Sequence, residues 1–388
     1  MKPLNLLKHL QRPINTSNYI LEVDGFRFFA IFTVCLLHLN NFFGRSINYD
    51  YYEEVRDINS WSWFVNRSGL GVEIFFAISG FVIALPFMKH YLTASNKPKL
   101  KSYFLRRITR LEIPFLLSCI LFYISYIITS DKSFCSEIGH FLATITYTHE
   151  FIYGYWSPFN PVTWSLETEI QFYILAPWLI HFIFNKPLTG IWLTKLLCLA
   201  AIPLFLKYFY YTQLQEWHLH MSIIVFLPYF LVGFIVAYLY IRHEKFLRQK
   251  KWGWDILGLI GMYSLFFYAW APNQIYFCIF SLLLFISIFK GKLLNYFFTR
   301  RIIYIIGGMC YTIYLLHYPS FHFIGKFTKI FVVSDHFIVN YLIQAVVIFP
   351  VSFLICSIFF ILIEKPCMDK NWPQKLYAWL KRKKYSEL

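Results

Sequence analysis

The sequence predicts an all-α, polytopic membrane protein of about ten transmembrane helices. Three observations predict it. Ten stretches approach the 20 or so mostly apolar residues that a bilayer core of roughly 30 Å requires. Hydrophobic residues make up 58% of the 388 positions and charged residues 14%, against roughly 45–50% and 25% in soluble domains. The basic residues also crowd onto alternate connections, as membrane orientation demands. Together these exclude a disordered chain, which could not solvate so much apolar surface, and a soluble enzyme, whose surface needs more charge. A net charge of +16 would suggest nucleic acid in a soluble protein. Here it follows orientation, and no nucleic-acid partner is expected.

In chain order, residues 1–21 form a short N-terminal segment without the long apolar run or small-residue cleavage site of a signal peptide. The first apolar segment, 22–43, carries Asp24, Arg27 and His38. A 44–69 loop follows that is acidic and aromatic (Asp50, Glu53, Glu54 and Asp57 among Tyr49, Tyr51, Tyr52, Trp61 and Trp63). It reads equally as a lid or as an interfacial aromatic belt. The second segment, 70–88, begins with Glu73. Residues 89–110 hold seven Lys and Arg, and the third segment, 111–129, comes next. The stretch 137–153 is apolar but broken by His140, His149 and Glu150. Segments 163–184 (with Glu167 and Glu169), 191–211, 221–241, 254–271, 273–289, 302–325 (with His317 and His322) and 337–363 complete the set, before a basic tail at 368–388.

Charge decides whether 137–153 crosses. If it does not, and the N-terminus is cytoplasmic, 29 of the 36 Lys and Arg fall inside; if it crosses, only 14 do. The positive-inside rule therefore predicts ten crossings, both termini cytoplasmic, and a re-entrant or interfacial helix at 137–153. No CxxC pair or Cys/His ligand spacing occurs among the eight cysteines, so no metal is expected.

Ionisable residues at membrane depth are costly and tend to be functional. Arg27 and His38 are eleven positions apart, which on a helix is three turns plus about 20°, so both project from one face about 16 Å apart. That geometry suits a long ligand with an anionic head near Arg27 and a reactive end near His38, the shape of an acyl-coenzyme A. It equally suits a snorkelling arginine and a hydrogen-bonded core histidine. Depth arithmetic places Glu73, Glu169 and His317 at the level of His38 in the outer half, as for a polar chamber opening outward. A His beside a carboxylate there could transfer protons near neutral pH. Arg107 and Arg110, three apart on a helix, suit bidentate phosphate binding or anchoring against anionic lipid.

These residues fall in strings that resemble the acyltransferase 3 family of membrane acyltransferases, which includes bacterial O-antigen and exopolysaccharide O-acetylases. The strings are Leu21-Glu-Val-Asp24-Gly25-Phe-Arg27 followed by His38, Gly71-Val-Glu73 running to Ser79-Gly80-Phe81, and Arg107-Ile-Thr-Arg110. Trp164-Ser165-Leu166-Glu167-Thr168-Glu169, Gly308-Met-Cys310 running to His317-Tyr318-Pro319, and Glu364-Lys365-Pro366 complete them. Glu73 stands where the family often has Asp, and Cys310 where Ser is usual. The resemblance spans nearly the whole chain and makes 22–367 the acyltransferase 3 transmembrane domain.

The resemblance implies transfer of an acetyl or other acyl group from cytoplasmic acyl-CoA to a hydroxyl of an extracytoplasmic carbohydrate, in the bacterial cytoplasmic (inner) membrane. Arg27, Arg107 and Arg110 would bind acyl-CoA. His38 would act as general base, or would carry the acyl group itself. Glu73 or Glu169 would orient His38 or grip the sugar. Trp164 would offer an apolar face to the acceptor, and His317 would be a second polar wall or a core histidine. The alternative is a transporter or flippase for a polyprenyl-linked sugar, which would more often show internal repeats. None is seen in this chain.

Overall fold

A computed structural model of the chain describes residues 8–13, 19–46, 61–93, 95–186, 190–268, 274–328 and 336–369, with isolated positions at 330, 333, 334, 372 and 374. The acidic part of the 44–69 loop and most of the basic tail lie outside the described residues. Among the described residues every regular element is helical. In order these are α1 (Leu21–Ser46), α2 (Trp61–Asn66), α3 (Gly71–Thr93), α4 (Leu100–Thr129), α5 (Phe134–Ile145) and α6 (His149–Tyr153). Next come α7 (Trp164–Phe184), α8 (Ile191–Phe209), α9 (Tyr211–Glu216), α10 (Ile223–Arg242), α11 (Glu244–Arg248) and α12 (Trp252–Tyr268). The chain closes with α13 (Gln274–Lys290), α14 (Leu293–Phe298), α15 (Arg301–Gly308), α16 (Cys310–Thr328), α17 (Phe337–Phe359) and α18 (Lys365–Cys367).

Each of the ten apolar segments corresponds to a helix or, for 302–325, to the pair α15 and α16. Six helices among the described residues are long and apolar enough to cross a bilayer. The α15–α16 pair passes the same test as one span bent by 72°, and α12 and α13 are shorter apolar helices. The 21-residue α7 carries Glu167 and Glu169, which lower its hydropathy. The chain is a multi-pass membrane protein.

The stretch 137–153 behaves as the charge count predicts. It falls in two short helices, 12 and 5 residues long, broken at Tyr147, whose φ is 57°. At about 1.5 Å per residue the longer covers about 18 Å, too little for the roughly 30 Å bilayer core. Glu167 of α7 ties the break down by accepting the backbone N–H groups of both His149 and Glu150, at 3.1 Å each.

Two aromatic-rich cores hold the helices together. One joins α3, α7, α10 and α13 through Phe81, Phe172, Phe230 and Phe285, with Phe172 stacked on Phe230 at 3.9 Å between ring centroids. The other joins α1, α16 and α17 around Phe43, Leu315 and Tyr341, and the Tyr341 hydroxyl donates to Leu36 O at 2.9 Å. Lipid tails offer no hydrophobic gain for pairing helices, so close backbone approach matters most. Glycines provide it at two crossings. A Cβ on Gly80 of α3 would lie 2.1 Å from Phe230 O, and one on Gly233 of α10 2.2 Å from Ala77 O. A Cβ on Gly25 of α1 would lie 2.0 Å from Phe298 O, and one on Gly307 of α15 1.7 Å from Asp24 O.

The break between α15 and α16 aims the next helix. The Thr312 N–H donates to Glu364 Oε2 at 3.1 Å and the Thr312 hydroxyl to the same oxygen at 2.5 Å. A carboxylate thus caps the first turn of α16, where backbone donors lack helical partners. Glu364 itself ends a π-helical turn, Phe360–Glu364, that follows α17.

Candidate functional site

A cavity of about 1530 Å³ opens among α1, α3, α4, α7, α10 and α16. Six arginines line it: Arg12, Arg27, Arg106, Arg107, Arg110 and Arg248. Asp24, fully buried, is the hub at the N-terminal end of α1. It is salt-bridged to Arg27 one turn on and to Arg12 at 3.3 Å, and it accepts the Tyr19 hydroxyl at 2.7 Å. Burial and the adjoining Asp24 carboxylate push the Tyr19 hydroxyl well above its ordinary pKa, so it stays a donor.

Arg107 lies with its guanidinium 3.8 Å over the Tyr103 ring and 5.1 Å from that of Tyr173, a cation–π arrangement that suits a partly desolvated cation. Arg110 lies within electrostatic reach of Arg12, Arg27 and Glu364, and its Nε is buried with no hydrogen-bond partner among the described residues. Arg27, Arg107 and Arg110, far apart in sequence, therefore do share one cavity. Arg12, Arg106 and Arg248 belong to the same lining and escaped the sequence reading, which had attributed them to orientation. Nothing in the spacing of Arg12 marked it, because its ion pair with Asp24 follows no helical period.

Among the described residues no hydrogen bond joins His38 to either of the carboxylates expected beside it. Glu169 is in the cavity wall, accepting the Ser79 hydroxyl of α3 and the Tyr173 hydroxyl, the latter at 2.5 Å. Glu73 lies within electrostatic reach of Lys207 of α8 and Tyr229 of α10, with its Oε2 buried and lacking a hydrogen-bond partner among the described residues. Trp164, half-buried at the start of α7, packs against Phe76 and Phe226 with ring centroids 6.4 and 5.4 Å away.

The group set against His38 is His317 of α16. Nδ1 of His38 lies 2.6 Å from Nε2 of His317, and the ring of Tyr318 meets that of His38 edge-on at 5.2 Å. His317 is wholly buried. One turn before it, Tyr314 lines the cavity, with its hydroxyl donating to Val162 O at 2.8 Å and sharing a 2.6 Å hydrogen bond with Ser165. The arginine-lined space thus reaches to one helical turn, about 5.4 Å, from the histidine pair along α16. Chemically the arrangement offers a cationic bay for a phosphorylated ligand and, beyond its inner end, an imidazole able to move a proton.

Comparison with known proteins agrees with the strings of residues noted above. A family model described as an acyltransferase domain matches residues 20–361. Among curated proteins, the O-acetyltransferase OatA of Staphylococcus aureus strains NCTC 8325 / PS 47, COL and MRSA252 is 26% identical over 399 aligned positions, covering 95% of this chain. The chain spans about 60% of the length of these relatives. No solved structure matches the chain.

Proposed function

The chain belongs to this acyltransferase family, and from that premise we propose that it is a membrane O-acyltransferase moving an acetyl group from cytoplasmic acyl-CoA to a hydroxyl of an extracytoplasmic carbohydrate. The observation that carries this reading is a cationic cavity ending one turn short of a histidine pair. Arg12, Arg27, Arg107 and Arg110 hold the phosphates of the donor, and the acyl arm runs along α1 towards His38. His38 takes the proton of the acceptor hydroxyl as general base while the oxygen attacks the thioester carbonyl. Glu169 steadies the cavity wall beside the acyl arm, and Glu73 and Trp164 serve the acceptor side.

In this reading the membrane is the bacterial inner membrane, the arginine end faces the cytoplasm with both termini, and the acceptor is an O-antigen, exopolysaccharide or related glycan. The test is mass spectrometry of envelope glycans from cells with the intact gene and cells carrying His38→Ala at equal protein level. An acetyl-sized mass increment should be present in the first and absent in the second. An unchanged increment in the variant rejects the mechanism. A reporter fused after residue 158 should read extracytoplasmic; a cytoplasmic signal there rejects the orientation.

A further inference from the structure

The lining of the arginine cavity follows α3 from Thr93 out to Val72. At about 1.5 Å per residue that is about 31 Å, the height of a bilayer core. Its character changes on the way. Towards Thr93 it holds Lys89, and Arg107 over the ring of Tyr103, which packs on Phe87 of α3. The other end is formed by Val72, Phe75, Phe76, Ser165, Leu166 and Tyr314, none of them charged. Glu73, next to Val72 in sequence, is not part of the lining. Glu169 stands one turn of α7 inward of Ser165 and already accepts the Ser79 and Tyr173 hydroxyls. Tyr173, whose ring lies 5.1 Å from the Arg107 guanidinium, is two turns of α7 from Leu166, or about 10 Å.

The uncharged end is also stiff. The ring of Phe75 meets that of Tyr314 edge-on at 6.1 Å. The Tyr314 hydroxyl is tied to Val162 O and to Ser165, so its ring cannot swing aside without giving up buried hydrogen bonds. Phe76 is held among Trp164, Phe226 and Phe230, with ring centroids 6.4, 5.3 and 4.7 Å away. Behind this wall the ring of Tyr314 lies 5.8 Å from that of His317, so the apolar end of the cavity abuts the histidine pair.

We infer that this end is the acyl pocket, and that Phe75 and Tyr314 determine its specificity by admitting a short uncharged acyl group, acetyl, and refusing longer or anionic ones. The inference rests on the acyl-transfer reading and adds what limits the acyl group. With the donor phosphates at the arginines, the thioester end points towards Val72, and the acetyl methyl meets the Phe75 and Tyr314 rings. One methylene more or less in an apolar pocket changes transfer about 10–200-fold, and pinned rings yield little room for it. A succinyl group would bring a second carboxylate to an end lined by no cation, one turn from Glu169, which is a costly burial.

The test uses inverted membrane vesicles from cells making the full chain, which expose the cytoplasmic face and carry the endogenous envelope glycan. They receive acetyl-, propionyl-, butyryl- or succinyl-CoA labelled with carbon-14 in the acyl group. Base-releasable label on carbohydrate is counted above that in His38→Ala vesicles. In the wild type, propionyl should pass about tenfold and butyryl about a hundredfold more slowly than acetyl, with succinyl at background. Phe75→Ala should raise butyryl relative to acetyl about tenfold or more, and Leu166→Ala should move the ratio the same way. Each ratio is internal to one preparation, so a lower protein level leaves it unchanged.

Butyryl transfer within about threefold of acetyl in the wild type, or a ratio unmoved by Phe75→Ala, overturns the inference. Should Phe75→Ala fail to accumulate, Leu166→Ala and the wild-type rates decide. Failure of the underlying reading looks different: no label from any of the thioesters then exceeds the His38→Ala level, and the inference falls with it.

Discussion

At one end of the site six arginines line an open cavity, and only Arg12, Arg27 and Arg248 have a carboxylate within 4 Å among the described residues. At the other, His38 and His317 are bonded to each other, and His317 is sealed against two carbonyls of its own helix. The first region is short of anions and has the room for a large one. In the second, His317 is buried and held by its own helix while His38 stays half-buried. Cations in a wet cavity can await a ligand because water solvates them meanwhile. A polar group in a sealed space has to be satisfied from the protein. Under the proposed function the difference separates binding from chemistry: the cavity would supply affinity for charge, and the pair a proton acceptor.

Variants at the two ends should therefore fail differently. The largest effect is expected from His38→Ala, which should lower acetyl transfer by about 10²–10⁴-fold, the usual contribution of a general base, with the protein still inserted; glycan mass spectrometry at matched protein level reads it. Asp24→Ala comes next. It leaves the Arg12 and Arg27 guanidiniums without their shared buried counter-ion and should cost about 3–5 kcal/mol of stability, seen as early thermal unfolding of the purified protein in detergent. Arg107→Ala should act on binding, raising the acyl-CoA KM about 10–100-fold, in line with about 1.5–3 kcal/mol for a charge-assisted hydrogen bond. An equal loss in kcat would place Arg107 with the chemistry instead and erase the contrast.

Gly80→Ala tests the scaffold beneath both ends. Its new Cβ meets Phe230 O, and overpacking of this kind costs about 1–3 kcal/mol. Stability should drop while the acyl-CoA KM of the folded fraction stays put. Trp164→Phe should do least, keeping the packing on Phe76 and Phe226. Transfer within about threefold of wild type, a barrier change under roughly 1 kcal/mol, makes the residue a packing element; a larger loss gives it a role at the acceptor.

Much of this was legible from the chain. The ten apolar segments, the failure of 137–153 to cross and the placing of Arg27, Arg107 and Arg110 in one cavity all follow from hydropathy, charge asymmetry and motif strings. The pairing of His38 was not. Depth arithmetic set Glu73, Glu169 and His317 at one level, but depth says nothing of which side a residue faces. Glu73 is in electrostatic reach of Lys207 and Tyr229, Glu169 is claimed by Ser79 and Tyr173, and of the three His317 is the one hydrogen-bonded to His38 among the described residues. Arg12 was hidden for a similar reason, since it lies outside the apolar segments and its ion pair with Asp24, twelve residues on, follows no helical period.

By itself, then, the sequence determined what each helix is and what each carries, because apolar length, charge bias and the 3.6-residue period are properties of one segment at a time. Tertiary structure alone decided which groups meet. The glycine crossings at Gly25, Gly80, Gly233 and Gly307 set how closely and in what register the helices pass, and the 72° break before Cys310 sets the direction of α16. A change in either would leave every segment as apolar as before, yet would carry His317 away from His38. Such pairing depends on side-chain fit between helices, and no single helix encodes it.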